Sequence, residues 1–193
     1  MPEKRDLKLV ESPILGHLIA ICLLVFSCAT NKAPVEKPLH SVVLKFQKHE
    51  PFCGGAYPNP EQLRGWVSPI TNQQYAIFKA ENDSVKHSQK AKPLGVYKTD
   101  SLGLIHGAFS TGYYYAVHVD KTMSFENFYK KHEIQSDQYR QSGGRPCFEE
   151  WYATPEMRFQ VVSRGLNKFE VTLQSYCFIG LMRCISWVGP MPP

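Results

Sequence analysis

Short alternations of apolar and polar residues dominate the chain from residue 39 onward and predict a domain built mainly of β-strands. In residues 113–119 the alternation is strict, so we expect one face of that strand to lie in a core and the other to be wetter. Residues 157–162 and 169–177 flank a turn at residues 164–167 and are predicted to pair as a β-hairpin. The remaining predicted strands cover residues 41–47, 74–79, 95–99 and 104–109.

Helical periodicity is rare in the chain. Residues 124–132 are the best helix candidate, because Ser124 is a suitable N-cap and the last turn is basic. Residues 147–152 fit either a helical turn or a loop, and residues 81–93 are predicted to be a charged, solvated loop. The pattern as a whole predicts an antiparallel β-sandwich, transthyretin-like or immunoglobulin-like, with one or two short helices.

The first 27 residues have the plan of a signal peptide. Three basic residues precede residue 13, and residues 14–26 form an apolar run interrupted only by Gly16 and His17. The run is too short to cross a bilayer, for which about 20 apolar residues are needed. We therefore predict a cleaved signal at residues 1–27, a polar tether at residues 28–38 and a folded domain at residues 39–193.

The end of this segment resembles the lipobox of bacterial lipoproteins, with the residues Leu24-Val25-Phe26-Ser27-Cys28. The resemblance implies that Cys28 becomes the acylated first residue of the mature protein and anchors it to a membrane. Ala29 follows the cysteine where an inner-membrane lipoprotein often has Asp, which favours the outer membrane. The alternative is a secretory signal that ends near a cysteine by chance.

Composition narrows the classes of function. The chain has 193 residues, 43% of them hydrophobic and 20% charged, which excludes a disordered or polytopic membrane protein. The formal net charge is +5, but the basic residues are scattered among acidic ones. Because no basic stripe is present, nucleic acid is not an expected partner.

Six cysteines indicate a disulfide framework. Cys22 belongs to the signal and Cys28 to the lipid, so four remain, namely Cys53, Cys147, Cys177 and Cys184. In an oxidising envelope these predict two disulfides, with three connectivities open. We favour Cys177 with Cys184, which closes a short loop, and Cys53 with Cys147, which ties the start of the domain to its later half.

Two groups of motifs resemble known families. Residues 99–104, together with Phe109 and Gly112-Tyr113-Tyr114, resemble the turn-and-strand segment of carboxypeptidase-regulatory-like (transthyretin-like) modules, with Thr111 where a Pro is frequent. A second group resembles small uncharacterised bacterial envelope lipoproteins, on residues 52–56, Pro58, Pro60, Cys147, Trp151, 154–155, 177–178, Cys184 and 189–193. This resemblance implies export, cystines and a sandwich, and it supplies no catalytic residue.

Candidate chemistry is sparse. Tyr113, Tyr114 and Tyr115, together with Trp66 and Trp187, could form an aromatic platform for an envelope protein or a glycan. A metal shared by His106 and His118 across neighbouring strands lacks a third ligand at a defined spacing, so we expect no metal site and no cofactor.

The leading hypothesis is a non-catalytic binding or structural module, anchored to the envelope by lipid and directed at an envelope protein or glycan. The alternative is an envelope enzyme, thiol-dependent or hydrolytic, that uses Cys53 with a nearby histidine such as His49.

Overall fold

The computed structural model describes residues 37–54, 57–133 and 136–190, so the predicted signal, Cys28 and most of the tether lie outside the described residues. The strands are β1 His40–Glu50, β2 Trp66–Pro69, β3 Gln74–Ala80, β4 Gly95–Lys98, β5 Leu104–Phe109, β6 Gly112–His118, β7 Tyr139–Gln141, β8 Met157–Val161, β9 Asn167–Gln174 and β10 Ile185–Trp187. The helices are α1 Pro60–Leu63, α2 Phe125–His132 and α3 Gly144–Ala153. None of the described helices is long and apolar enough to cross a membrane.

The chain is mainly β, as predicted, and contains two four-stranded sheets. In the first, β1 pairs antiparallel with β5 and β2 along one edge and parallel with β9 along the other. The second sheet is antiparallel throughout, in the order β4-β3-β6-β8. The parallel β1–β9 pair corrects the expectation of an antiparallel arrangement in both sheets.

The two sheets share one apolar core, which gives the fold its sandwich-like character. β1 contributes Val42, Leu44 and Phe46 from one side, and strands of the second sheet supply the facing residues. Phe46 and Tyr75 stack across the interface with ring centroids 3.9 Å apart. Burial of alternate side chains from two sheets is the arrangement expected of a sandwich core.

The second face of the antiparallel sheet is buried too, which corrects the expected wetter surface. Phe78, Tyr115 and Val117 pack there beneath Val85, which belongs to the loop predicted to be solvated. The same loop is also hydrogen-bonded to the end of α3, because the His87 backbone N–H donates to the Ala153 carbonyl at 2.8 Å. This loop therefore covers that face of the sheet.

The predicted hairpin of β8 and β9 is wrong. β8 pairs with β6 in one sheet, and β9 pairs with β1 in the other, so the turn between them crosses the sandwich. Local alternation indicated two strands correctly but carried no information on their partners. Phe159 and Phe169 instead meet in the core with ring centroids 5.3 Å apart.

The described residues contain three α-helices, where the sequence predicted one or two, because α1 was not expected. The other two were predicted. Ser124 caps α2 by accepting a hydrogen bond from the Asn127 N–H, as expected. The ambiguous segment at residues 147–152 is part of α3. The two helices pack with the β7–β10 pair around a second apolar core that includes Phe128 and Phe148.

Two disulfides are present among the described residues, but their pairing differs from the one we favoured. The bonds join Cys53 to Cys177 and Cys147 to Cys184. β1 and β9 run parallel, so their carboxyl ends lie side by side, and Cys53 and Cys177 each follow one of those ends by three residues. The favoured pairing failed because it did not anticipate this parallel contact.

Candidate functional site

A cleft of about 430 Å³ opens where one end of the sandwich meets the helical layer. It lies between the start of β3, the end of β6, α2, α3 and the segment before β10, and β1, β2 and β9 contribute to its lining as well. Its volume falls within the range of small-ligand sites. The polar lining residues are Lys48, Thr71, Gln73, His118, His132, Glu156, Gln174 and Arg183. The apolar wall includes Tyr75, Phe128, Trp151, Leu173 and Leu181.

His118 lines the cleft, and hydrogen bonds at both of its ring nitrogens define the orientation of the imidazole. Its Nδ1 accepts a hydrogen bond from the Asp120 backbone N–H at 3.3 Å, so the neutral ring carries its proton on Nε2. That Nε2–H then donates to Gln73 Oε1 at 3.0 Å. Burial lowers the pKa of His118, although Asp120 and Glu156 oppose this effect, so the neutral form is favoured near pH 7.

Asp120 sits behind the cleft and links two imidazoles. Its Oδ2 lies 3.2 Å from His132 Nε2 and 3.7 Å from His118 Nδ1, while its Oδ1 accepts from Lys131 Nζ at 2.7 Å. Burial by itself raises the pKa of Asp120, but Lys131 and the two histidines outweigh it, and the pKa lies below its usual value. Asp120 is therefore an anion beside both rings, and its carboxylate lies closer to His132 than to His118.

A buried ion pair supports the cleft floor. Lys121 is almost completely buried, and its Nζ lies 2.5 Å from Glu156 Oε1 and donates to the Thr154 carbonyl at 2.6 Å. The other oxygen of Glu156 accepts from the His118 backbone N–H at 2.8 Å. Both oxygens of Glu156 are thus engaged, which fixes the position of its carboxylate in the cleft.

The arrangement favours binding of a polar molecule with an apolar side. Imidazole and amide groups supply donors and acceptors on one wall, and aromatic and aliphatic side chains form the other. No group of three or more His, Cys, Asp and Glu side chains within the described part of the chain is placed to hold a metal ion.

The five aromatic residues of the predicted platform do not come together, and none of them lines the cleft. Tyr114 is buried between the two sheets, and Tyr115 is buried on the opposite face of its sheet. Tyr113 is only partly buried. Three consecutive residues in a strand must point to alternate faces, so a shared surface was excluded by geometry.

The two tryptophans lie in separate settings. Trp66 is 53% exposed on β2, where its indole N–H donates to Glu50 Oε2 at 2.9 Å. Trp187 is partly buried between Tyr139 and Phe178, with ring centroids 5.1 and 5.3 Å away.

The other candidates change as well. Cys53 is bonded to Cys177, so a thiol nucleophile there would require reduction of that bond, and His49 Nε2 is hydrogen-bonded to the Arg64 carbonyl at 2.7 Å. His106 and His118 belong to different sheets and are not on neighbouring strands. This placement separates the pair that we considered for a metal.

Sequence reasoning missed most of the cleft. It placed His118 and Asp120 on one face of a strand and His132 in the last turn of a helix, but nothing in the sequence joined these two elements. Glu156 follows a helix and gave no signal. The signal that could have been used is that His118 and Asp120 follow Tyr114 and Ala116 on the same alternating positions, and those two residues face the core.

Comparisons with known proteins leave the family open. No family model matches the chain, and no curated protein matches it. Among solved structures, the crystal structure of (S)-allantoin synthase aligns with 85% of this chain at 14% identity and a TM-score of 0.31. The chain spans 51% of that protein's length, and a similarity of this strength carries no argument about function.

Proposed function

We propose that the protein is a lipid-anchored lipoprotein of the bacterial cell envelope, held at the outer membrane, that binds a glycan without catalysing a reaction. Residues 1–27 would be removed, and acylated Cys28 would tie the domain to the membrane. The two facing sheets support a transthyretin-like or immunoglobulin-like sandwich as the binding domain.

The cleft is the observation that carries the binding function. It is concave, its floor is held by the Lys121–Glu156 pair, and its walls combine hydrogen-bonding groups with an apolar side. A protein partner normally covers a broad surface of about 800 Å² on each side. A cleft of this size instead suits one or two sugar rings, so the geometry favours a glycan over an envelope protein.

Ligand titration of the full-length chain in detergent tests this proposal. The probes are N-acetylglucosamine and its β-1,4-linked disaccharide. Saturation-transfer NMR and calorimetry detect their binding. We expect binding that is lost in Gln73→Trp, because Gln73 is exposed, lines the cleft and contacts His118. A bulky indole there would fill the entrance.

The matched control is Gln74→Trp, the same change one residue later. Gln74 is also exposed but does not line the cleft. We expect the affinity of Gln74→Trp for the saccharides to remain within twofold of that of the unchanged protein. Equal losses in both variants, or no detectable binding of any saccharide including acidic ones, would overturn the proposal.

A further inference from the structure

The charges around the cleft do not balance. The two carboxylates nearest to it are each paired with a lysine, Glu156 with Lys121 at 2.5 Å and Asp120 with Lys131 at 2.7 Å. Arg183 also lines the cleft and is exposed. Across the described residues, no carboxylate lies within 4.0 Å of its guanidinium.

Lys48 is the remaining cation of the lining. Its Nζ lies 2.6 Å from Glu50 Oε1, so its charge is already matched. Among the described lining residues, Arg183 is thus the cation that remains available to a ligand. Burial is the main cause that lowers the pKa of Lys121 and Glu156 opposes it, while the positive charge of Arg183 adds a minor lowering, so its field reaches inward. An unmatched guanidinium beside a cleft is suited to a carboxylate, which it can bind with two parallel hydrogen bonds.

The two imidazoles of the lining make the binding of an anion sensitive to pH. His118 and His132 both line the cleft, and burial lowers the pKa of each below its ordinary value. The groups that face them are Asp120, Glu156, Lys121, Lys131 and the edge-on ring of Tyr75, 5.9 Å from His118 between centroids. An anion entering the cleft would favour the protonated rings and would therefore bind together with a proton.

We propose that the ligand is an acidic sugar, whose carboxylate binds to Arg183 in the cleft that His118 and His132 also line. This inference rests on the proposed glycan-binding function and specifies the class of glycan. The sugar ring lies against the apolar wall, and the carboxylate faces the guanidinium. A neutral sugar would leave Arg183 without its partner.

The test compares N-acetylmuramate with N-acetylglucosamine, which differ by one lactyl carboxylate. Calorimetry on the full-length chain in detergent at pH 5.5 and 7.5 measures both affinities. At pH 5.5 we expect N-acetylmuramate to bind at least tenfold more tightly than N-acetylglucosamine. At pH 7.5 we expect this advantage to be smaller. Titrations in two buffers of different ionisation enthalpy are expected to show proton uptake.

Two variants separate the roles of the groups. Arg183→Gln is expected to reduce the affinity for N-acetylmuramate about tenfold and to remove most of its advantage over N-acetylglucosamine. The control Arg164→Gln removes the same charge from the exposed turn after β8, away from the cleft lining, and is expected to have no effect. His118→Gln and His132→Gln are expected to flatten the pH dependence.

Each outcome is decisive. Equal affinity for the two sugars overturns the acidic-sugar inference and leaves the glycan-binding function standing. If neither sugar binds, both the acidic-sugar inference and the glycan-binding function are overturned. Equal losses in Arg183→Gln and Arg164→Gln point to the net charge of the whole protein and reject a site at Arg183. If either histidine variant does not fold, the other histidine variant and the buffer comparison still measure proton uptake.

Discussion

At the scale of single residues, Lys121 is the least typical feature of the domain. Its side chain is 1% exposed, and its ammonium is matched by Glu156 and by the Thr154 carbonyl. Burial lowers the pKa of Lys121, while Glu156 opposes the shift. A buried charge of this kind is tolerated only with its partner, because desolvation is otherwise uncompensated.

We therefore expect Lys121→Met to destabilise the domain by about 3–5 kcal/mol, since it leaves the Glu156 carboxylate buried and unpaired. The double variant Lys121→Met/Glu156→Gln is expected to recover part of this loss, because the amide is neutral and still accepts from the His118 N–H. Urea unfolding followed by tryptophan fluorescence measures both. Losses that simply add would show that the two side chains are not coupled.

At the scale of elements, the connection between β8 and β9 decides the topology. The chain leaves one sheet at Val161 and enters the other at Asn167. The Asn167 side chain substitutes for the missing strand pairing, because its Oδ1 accepts from the Val162 N–H at 2.9 Å and its Nδ2 donates to the Val162 carbonyl at 3.1 Å. One buried amide thus closes the crossing turn.

Asn167→Ala is expected to destabilise the domain by about 1–3 kcal/mol, because it removes both hydrogen bonds at once. Asn167→Asp keeps the acceptor and loses the donor, so an intermediate loss is expected. Leu166→Ala in the same turn serves as the control, since Leu166 is 83% exposed. Thermal unfolding measures the series. A loss for Leu166→Ala as large as that for Asn167→Ala would contradict this role of the amide.

At the scale of the whole molecule, the two disulfides close loops of very different length. Cys53–Cys177 spans 124 residues and ties the ends of β1 and β9, whereas Cys147–Cys184 spans 37 residues and joins α3 to the segment before β10. A cross-link restricts the unfolded chain more when its loop is longer. The longer one therefore contributes more to stability.

Removal of each bond by paired Cys→Ala substitutions tests this order. The chain-entropy relation predicts losses of about 5 kcal/mol for the 124-residue loop and about 4 kcal/mol for the 37-residue loop. The expected difference in melting temperature is about 2–4 °C for a domain of this size. The reverse order would contradict the entropic account of the two bonds.

The same protein, extracted from membranes and digested without reduction, tests the pairing and the anchor together. A peptide containing Cys53 is expected to be linked to one containing Cys177, and the chain is expected to begin at an acylated Cys28. A Cys53–Cys147 peptide would reinstate the pairing that the sequence alone favoured.

The sequence by itself determined what depends on neighbours along the chain. The alternation of residues 104–109 and 113–119 predicted β5 and β6 almost to the residue, and Ser124 marked the start of α2, because side-chain periodicity and capping are local effects. The even number of cysteines after residue 28 correctly predicted two disulfides. These properties need no knowledge of the partner element.

Only the tertiary structure decided which distant segments meet. β9 alternates in the same way whether it pairs with β8 or with β1, so its parallel place beside β1, and with it the Cys53–Cys177 bond, had no local signal. The cleft has the same origin, because His118 and His132 come from a strand and a helix whose contact is set by packing. Periodicity shows which face of an element is buried, and long-range packing chooses what buries it.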